Sequence, residues 1–334
     1  MLEYGQKILH GRLPDLLKTL PDNTTLITSE TSEKKANTLY GRMKCDFDFI
    51  QRSEAVPFDR YSPCMSDVYV GFGGGTAIDI AKYLAHKYNA KCIAIPSMLS
   101  TNVFATDKVA EIYLDKYRVN KRTINSKMPD EVWLDTELLK LSQRENMFGL
   151  VDVFSISTAL HDWSVALAMG AEDVNKDIYE RALSLLDKAG KVALNIIENE
   201  ELSIEDAFEV ISEAGYITNE YGSGRPESGS EHILAKQIEL NVRVPHAVAV
   251  TCGIAIMKNV QEFNVFNHVP VILKNLGMYD RVKETVKREV LYKAISDLQP
   301  RPDRYTIIDF HTKFDKEFFV KNAGYLIERS GLYD

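Results

Sequence analysis

The 334-residue sequence lacks the features that mark several large classes of protein. Lys and Arg total 40 against 48 Asp and Glu, and the resulting net charge of −8 provides no basic field for a nucleic-acid backbone. The longest apolar runs, such as residues 93–95 and 247–250, fall far short of the roughly 20 residues that span a bilayer. We therefore expect no nucleic-acid partner and no membrane span.

Cysteine is scarce as well: Cys45, Cys64, Cys92 and Cys252 are scattered along the chain without a Cys-x-x-Cys pair. This distribution argues against a disulfide framework and against a Cys-ligated zinc site, so we interpret all four as reduced thiols. Residues 1–7 contain no apolar stretch behind a basic start. No secretory signal is therefore expected, and the expected location is the cytoplasm.

The composition is that of a globular protein, with 45% hydrophobic and 26% charged residues. The length is about twice the usual single-domain size, which favours two domains. Residues 1–135 alternate short β-like runs with helical segments, the pattern of βαβ units in a parallel sheet, whereas helical patterning dominates later, for example over residues 177–198. The sequence predicts an α/β domain over residues 1–141 and an all-helical domain over residues 142–334.

The strongest βαβ unit contains a glycine-rich turn, Gly71-Phe72-Gly73-Gly74-Gly75-Thr76. The flanking elements are predicted as strands at residues 24–28, 47–50, 67–71 and 92–95 and a helix at residues 77–88. Glycines at the start of a helix let backbone N–H groups approach a phosphate. The turn matches neither the Gly-x-Gly-x-x-Gly fingerprint nor a Walker A loop. We interpret it as a phosphate-binding turn, with Asp79 and Lys82 near one another on the helix face beside it.

The string of residues 73–82, GGGTAIDIAK, resembles the cofactor-binding signature of the superfamily of iron-type alcohol dehydrogenases, glycerol dehydrogenases and dehydroquinate synthases. The resemblance implies a dehydroquinate synthase-like fold, with a Rossmann-like domain for NAD or NADP, a helical domain for a divalent metal, and chemistry in the cleft between them. The residues that it assigns to cofactor binding are Gly73, Gly74, Gly75, Thr76, Asp79, Ser97 and Ser100. Lys82 is either a further residue of this site or a solvated helix charge.

The choice between NAD and NADP stays open. Glu30, after the first strand, would favour a free ribose hydroxyl, whereas Lys34 and Lys35 could meet a 2′-phosphate.

The segment of residues 222–232, GSGRPESGSEH, resembles the Ser-Arg-Pro-x-Ser-Gly-x-Glu-His segment of sn-glycerol-1-phosphate dehydrogenases. His246 matches the next histidine of that family, and Asp152 matches the aspartate of its Gly-x-x-Asp segment. The resemblance implies that Asp152, His232 and His246 bind one divalent metal, expected to be Zn²⁺, which takes about three protein ligands in a catalytic site. We interpret His161 and Asp162 as structural or supporting residues.

Two positions depart from the family pattern. Asn102 stands where the family has an aspartate that faces the substrate, and Ile156 stands where glycerol-1-phosphate dehydrogenases have a lysine. Asn102 can still hydrogen-bond a hydroxyl group, so it is placed with the metal ligands in the catalytic set and in the substrate-binding set. Lys108 and Arg225 complete the expected substrate-binding set, and a structural role for Arg225 is an equal alternative.

These features favour an NAD(P)- and metal-dependent oxidoreductase that acts on a small (phospho)polyol, with dihydroxyacetone phosphate and sn-glycerol 1-phosphate as the best match. The chain would then bind a small-molecule substrate, and we expect a homo-oligomer. Two alternatives stay open. One is a cyclase or lyase of the dehydroquinate synthase kind acting on a sugar phosphate, and the other is a cofactor-binding protein without turnover.

Overall fold

The computed structural model describes residues 2–3, 5–41, 48–51, 57–61, 65–115, 118–199, 201–262 and 264–334. The chain forms two compact units. The first consists of Met1–Gly149 and Ile204–Tyr216, and the second of Leu150–Ser203 and Ile217–Asp334. The domain boundary after residue 141 stays a prediction, because compactness alone does not define an independently folding domain.

The first unit is built on a parallel sheet. The strands in its described part are β1 (Leu2–Glu3), β2 (Gln6–His10), β3 (Thr24–Thr28), β4 (Asp48–Gln51), β5 (Val68–Gly73), β6 (Lys91–Pro96), β7 (Lys108–Asp115), β8 (Arg118–Asn125) and β9 (Glu131–Leu134). Seven strands form one sheet in the order β1-β2-β9-β6-β5-β3-β4, in which only β1 runs antiparallel to its neighbour. Strands β7 and β8 form a separate antiparallel pair.

Helices pack against this sheet or follow its strands. Those of the first unit are α1 (Leu13–Leu17), α2 (Glu30–Tyr40), α3 (Gly75–Tyr88) and α4 (Thr136–Lys140), with 3₁₀ helices at Phe58–Arg60 and Val103–Ala105. Two helices, α5 (Gln143–Phe154) and α8 (Ile204–Tyr221), have residues in both units. Gly71 lets α3 pack closely on β5, since a Cβ there would lie 2.6 Å from the Cα of Ile78.

The predicted elements of the first unit agree with the structure, with small shifts at their ends. The strand at residues 24–28 is confirmed as Thr24–Thr28, and all five of its residues are buried, as in a central strand of a parallel sheet. Strands β5 and β6 and helix α3 each begin or end within about two residues of the prediction. The strand predicted at residues 47–50 is β4, Asp48–Gln51, and residue 47 lies outside the described residues. The β7–β8 pair was not predicted.

The described strands all belong to the first unit, and the second unit is helical, so the predicted fold class is confirmed. Besides parts of α5 and α8, its helices are α6 (Ile156–Ala168), α7 (Lys176–Asn199), α9 (Ser230–Asn241), α10 (His246–Val260), α11 (Val269–Asn275), α12 (Met278–Thr285), α13 (Arg288–Ser296), α14 (Ile307–Phe314) and α15 (Phe318–Arg329). Within the described ranges, no helix combines the length and the apolar character that crossing a bilayer would need.

Helix α10 is the most deeply buried helix of the second unit, with residues 247–257 all buried. A helix that is apolar all round must lie inside a core. It packs closely on α9 at Gly253, where a Cβ would lie 2.3 Å from the carbonyl oxygen of Glu231. Cys252 on this helix and Cys92 on β6 are buried free thiols, while Cys45 and Cys64 lie outside the described residues.

Candidate functional site

The glycine turn joins β5 to α3 in the first unit. Gly73 has φ +154°, a conformation that favours glycine, and a Cβ there would lie 3.1 Å from the Ser32 hydroxyl oxygen. Gly74 is the N-cap of α3 and offers no capping side chain. Within the described residues, the N–H groups of Gly74, Gly75 and Thr76 donate to no acceptor. Free N–H groups at the positive end of a 14-residue helix can bind a phosphate.

The segment after β6 lies beside this turn. The backbone N–H of Ser97 donates to the carbonyl of Gly73 at 2.9 Å, and the buried hydroxyl of Ser97 is 3.1 Å from that of Ser32. Ser97 therefore anchors the segment to the turn. Ser100 and Asn102 are only partly buried, and Asn102 precedes the 3₁₀ helix at Val103–Ala105.

Asp79 and Lys82, on α3, form a buried ion pair with Nζ and Oδ1 3.5 Å apart. The Asp79 carboxylate also accepts the N–H of Ala110 at 3.0 Å. The Lys82 ammonium donates to the carbonyls of Val103 at 2.9 Å and Lys108 at 2.5 Å. The solvated-charge interpretation of Lys82 is therefore wrong, because its side chain is completely buried. Burial lowers the pKa of Lys82, an effect that the charge of Asp79 opposes.

The Asp79–Lys82 pair thus connects α3 to strand β7 and to the 3₁₀ helix at Val103–Ala105. Contact of Asp79 with a cofactor stays a prediction. Lys108, the first residue of β7, is partly buried and its ammonium lies 3.2 Å from the carboxylate of Asp107.

The candidate metal ligands meet in the second unit, although they are far apart in sequence. Asp152 lies in α5, His232 in the first turn of α9, and His246 is the first residue of α10. One ligand atom from each lies within 4.8 Å of the others, and among the described residues this is the group that could hold a metal ion. The Nε2 atom of His246 is 3.6 Å from Oδ1 of Asp152.

This donor set fits a divalent metal. Bonds of about 2.0–2.1 Å in a tetrahedral site place ligand atoms about 3.3 Å apart, close to the 3.6 Å between Nε2 of His246 and Oδ1 of Asp152. Two imidazoles and one carboxylate suit Zn²⁺ and related transition metals. Ile156, four residues after Asp152, is a buried aliphatic residue and offers no ligand. With the three ligands that the described residues supply, a tetrahedral site would keep one position open.

Each histidine also contacts a carboxylate through its other ring nitrogen. Nδ1 of His232 is 2.8 Å from Oε1 of Glu231, and Nδ1 of His246 is 2.7 Å from Oε1 of Glu239. Burial would lower the pKa of His232, but the hydrogen bond and charge of Glu231 outweigh it, so this pKa is raised. Neither Glu231 nor Glu239 was among the residues predicted for this site.

Asp162 supports the start of α9. Its carboxylate is buried and accepts the N–H of Ser230 at 2.6 Å, the N–H of Ile307 at 3.0 Å and the side-chain amide of Gln261 at 2.9 Å. Burial, with a contribution from the charge of Glu231, raises the pKa of Asp162 to about 6. These contacts agree with a structural role.

Arg225 is almost fully buried and uses its guanidinium within the protein. Nη2 donates to the carbonyls of Asp162 at 3.2 Å and Tyr305 at 2.8 Å, and Nε lies 2.9 Å from the carboxylate of Glu172. Trp163 lies beneath the guanidinium, 6.0 Å from its central carbon. This arrangement favours the structural alternative for Arg225 over a substrate anchor.

Comparisons with known proteins agree with this architecture. Residues 12–142 match the family model of iron-containing alcohol dehydrogenases. The glycerol-1-phosphate dehydrogenase (NAD(P)+) of Methanococcus aeolicus is 25% identical over 323 residues, which cover 88% of each chain. That of Sulfolobus acidocaldarius is 29% identical over 247 residues, covering 72% of this chain and 68% of the relative.

Among solved structures, a probable glycerol dehydrogenase from Sinorhizobium meliloti superposes with a TM-score of 0.70 at 15% identity, covering 97% of each chain. Glycerol dehydrogenase from Schizosaccharomyces pombe superposes with a TM-score of 0.66 at 17% identity, covering 97% of this chain and 89% of that one. At these identities the superpositions establish the fold. Together with the sequence matches they confirm the expected resemblance: the chain is similar to glycerol-1-phosphate dehydrogenases in sequence and to iron-containing alcohol dehydrogenases in fold.

Proposed function

We propose that the protein is an NAD(P)- and metal-dependent dehydrogenase that transfers hydride between a nicotinamide and a small polyol or polyol phosphate. The observation that carries the proposal is the convergence of Asp152, His232 and His246 from three helices. It is supported by sequence relatives named NAD(P)+-dependent glycerol-1-phosphate dehydrogenases, which disfavour the cyclase or lyase alternative. The complete donor set argues against a protein without turnover.

The dinucleotide would bind at the glycine turn. The N–H groups of Gly74, Gly75 and Thr76 supply hydrogen bonds to its pyrophosphate, and the N-terminus of α3 adds a favourable dipole. Glu30 and Lys34 are exposed in α2, whereas the Lys35 ammonium already donates to Ser142 at 2.5 Å. Lys34 is therefore the better candidate to meet a 2′-phosphate of NADP.

Asp152, His232 and His246 would hold the metal, and we propose Zn²⁺ for this nitrogen and oxygen donor set. When bound, a divalent ion stabilises an alkoxide and polarises a carbonyl, which is the chemistry that hydride transfer to or from an alcohol needs. The three side chains are 12–28% exposed, so the substrate oxygen can reach the centre.

The proposed substrate pair is dihydroxyacetone phosphate and sn-glycerol 1-phosphate. Asn102 can donate to and accept from a substrate hydroxyl without adding charge. Because the guanidinium of Arg225 is engaged within the protein and residue 156 is aliphatic, Lys108 is the best remaining candidate for the phosphate. The homo-oligomer stays a prediction, to be measured by light scattering of the metal-loaded protein.

Elemental analysis and steady-state kinetics test the proposal. Protein loaded with Zn²⁺ and desalted should retain about one ion per chain, and His232→Ala should lose both the ion and turnover. His268→Ala, at an exposed histidine of the same unit, is the matched control and should retain both. Dihydroxyacetone phosphate, dihydroxyacetone and small aldehydes should be compared with NADH and NADPH. Wild-type protein without retained metal, or without oxidation of either coenzyme, would contradict the proposal.

A further inference from the structure

Helix α9 supplies more to the candidate metal centre than His232. It also carries the two carboxylates that contact the Nδ1 atoms of the histidines, Glu231 at 2.8 Å from His232 and Glu239 at 2.7 Å from His246. Glu239 lies seven residues after His232, so the two share a face of the helix two turns apart. A single helix therefore brings one ligand and both carboxylate partners.

These contacts fix which ring nitrogen is available to a metal. When Nδ1 carries the proton and donates it to a carboxylate, Nε2 is left as a lone-pair donor on the opposite side of the ring. In His246 this nitrogen faces Asp152, with Nε2 3.6 Å from Oδ1. A ring that lost its carboxylate could rotate or move its proton to Nε2, which would block coordination.

The two carboxylates differ in what else they support. Glu231 is fully buried and also accepts the N–H of Gly229 at 2.7 Å, so its removal would disturb the start of α9. The Glu239 side chain is 13% exposed and reaches from the last turn of α9 to the first residue of α10. Because the Glu239 side chain is the more exposed of the two, Glu239 is the better position at which to test the orientation of a ligand.

We propose that Glu239 is a positioning residue that holds His246 with Nε2 directed at a divalent ion, and that Glu231 does the same for His232. The inference rests on the proposed metal centre. Neither glutamate would be a ligand of the ion; each would act through the imidazole that it contacts.

The test is the Zn²⁺ affinity of the full chain, measured by competition with a chromophoric chelator. Glu239→Ala should weaken binding about 10- to 100-fold, the usual effect of removing such a partner. Glu239→Gln should recover most of that affinity, because its amide oxygen still accepts the Nδ1 proton. Glu198→Ala, at an exposed glutamate of the same unit, is the matched control and should bind as the wild type does.

A second readout reports orientation directly. In ¹⁵N-histidine NMR spectra without metal, His246, assigned with His246→Ala, should carry its proton on Nδ1 in the wild type and in Glu239→Gln. It should show a mixture of tautomers in Glu239→Ala. Thermal melting establishes that each variant is folded, and the Gln variant keeps the test decisive if the Ala variant unfolds.

The outcomes separate the two proposals. If the wild type binds Zn²⁺ and His246→Ala does not, but Glu239→Ala binds with unchanged affinity, the positioning role is overturned and the metal centre stands. Equal loss in the Ala and Gln variants would also overturn it, since orientation would then not be the cause. If the wild type binds no Zn²⁺, the proposed metal centre fails first.

Discussion

Replacing Asp162 by asparagine should change how the stability of the protein depends on pH. The wild-type carboxylate is buried and accepts three hydrogen bonds, from Ser230, Ile307 and Gln261. Burial and the nearby charge of Glu231 raise its pKa to about 6. An asparagine has nearly the same shape and can keep the two hydrogen bonds to one oxygen, but it has no charge to titrate.

The direction in which stability changes with pH follows from the number of protons that each state binds. The Asp162 pKa of about 6 in the folded protein exceeds the ordinary value of 3.8 for an aspartate, so between these pH values the folded state binds more protons than the unfolded state. The contribution of Asp162 to the free energy of unfolding is therefore fully present below about pH 4 and is lost as the pH rises through about 6. A shift of about two pKa units corresponds to about 3 kcal/mol. On going from pH 4 to pH 7, the wild type should lose about 2.4 kcal/mol relative to Asp162→Asn, because part of the full difference falls below pH 4.

Urea unfolding of both proteins, followed by circular dichroism at pH 4, 5, 6 and 7 with a chelator present, measures this difference. The comparison cancels the many groups that titrate equally in the two proteins. Asp187→Asn, at an exposed carboxylate of α7, is the matched control and should run parallel to the wild type. Parallel curves for Asp162→Asn and the wild type would show that the carboxylate is already ionised at pH 4 and refute the reasoning.

Three further predictions concern the cofactor turn and the buried cations. Gly74→Val should weaken NAD(P)H binding at least tenfold, about 1.4 kcal/mol, because the side chain would stand where the pyrophosphate lies. The chain should still fold, since a Cβ there makes only ordinary contact with Met98 at 3.5 Å, and fluorescence titration of the coenzyme gives the affinity. Lys82→Met should destabilise the protein by about 3–5 kcal/mol in urea unfolding, because it removes the ammonium that pairs with a buried carboxylate and donates to two carbonyls. Arg225→Lys should lower the stability by about 1.5–3 kcal/mol for each charged hydrogen bond lost, while the KM for dihydroxyacetone phosphate changes little. A large rise in KM at unchanged melting temperature would instead assign Arg225 to the substrate.

Local sequence pattern was sufficient to predict the elements that have a clear apolar or glycine-rich signal. The run Thr24–Thr28 is apolar or β-branched throughout and forms a central strand, and the glycine turn marks the β5–α3 junction. Strand β8 gave no such signal, because residues 118–125, RVNKRTIN, contain few apolar residues. Hydrophobic periodicity therefore gave no basis for predicting β8.

The prediction of the candidate metal ligands rested on the family resemblance, but their supporting contacts depend on tertiary placement. Lys82 is spaced to pair with Asp79, yet its burial depends on carbonyls of Val103 and Lys108 that lie over 20 residues away. Neighbouring side chains on a helix do not face each other, so the contact of Glu231 with His232 is not expected from spacing. The contact of Glu239 with His246 depends on the conformation of residues 242–245, which connect α9 to α10.

The contact at Gly253 limits which ions the proposed metal centre of the second unit can be adapted to bind. Helices α9 and α10 carry one histidine each, and their backbones meet where a Cβ would lie 2.3 Å from a carbonyl oxygen of the opposite helix. Hydrogen is already the smallest substituent, so any substitution at Gly253 can only increase the separation of the helices. The present spacing between α9 and α10 is thus at its lower limit. Substitutions at Gly253 would move the two histidines apart, which would favour ions with longer bonds to their ligands over small ions such as Zn²⁺.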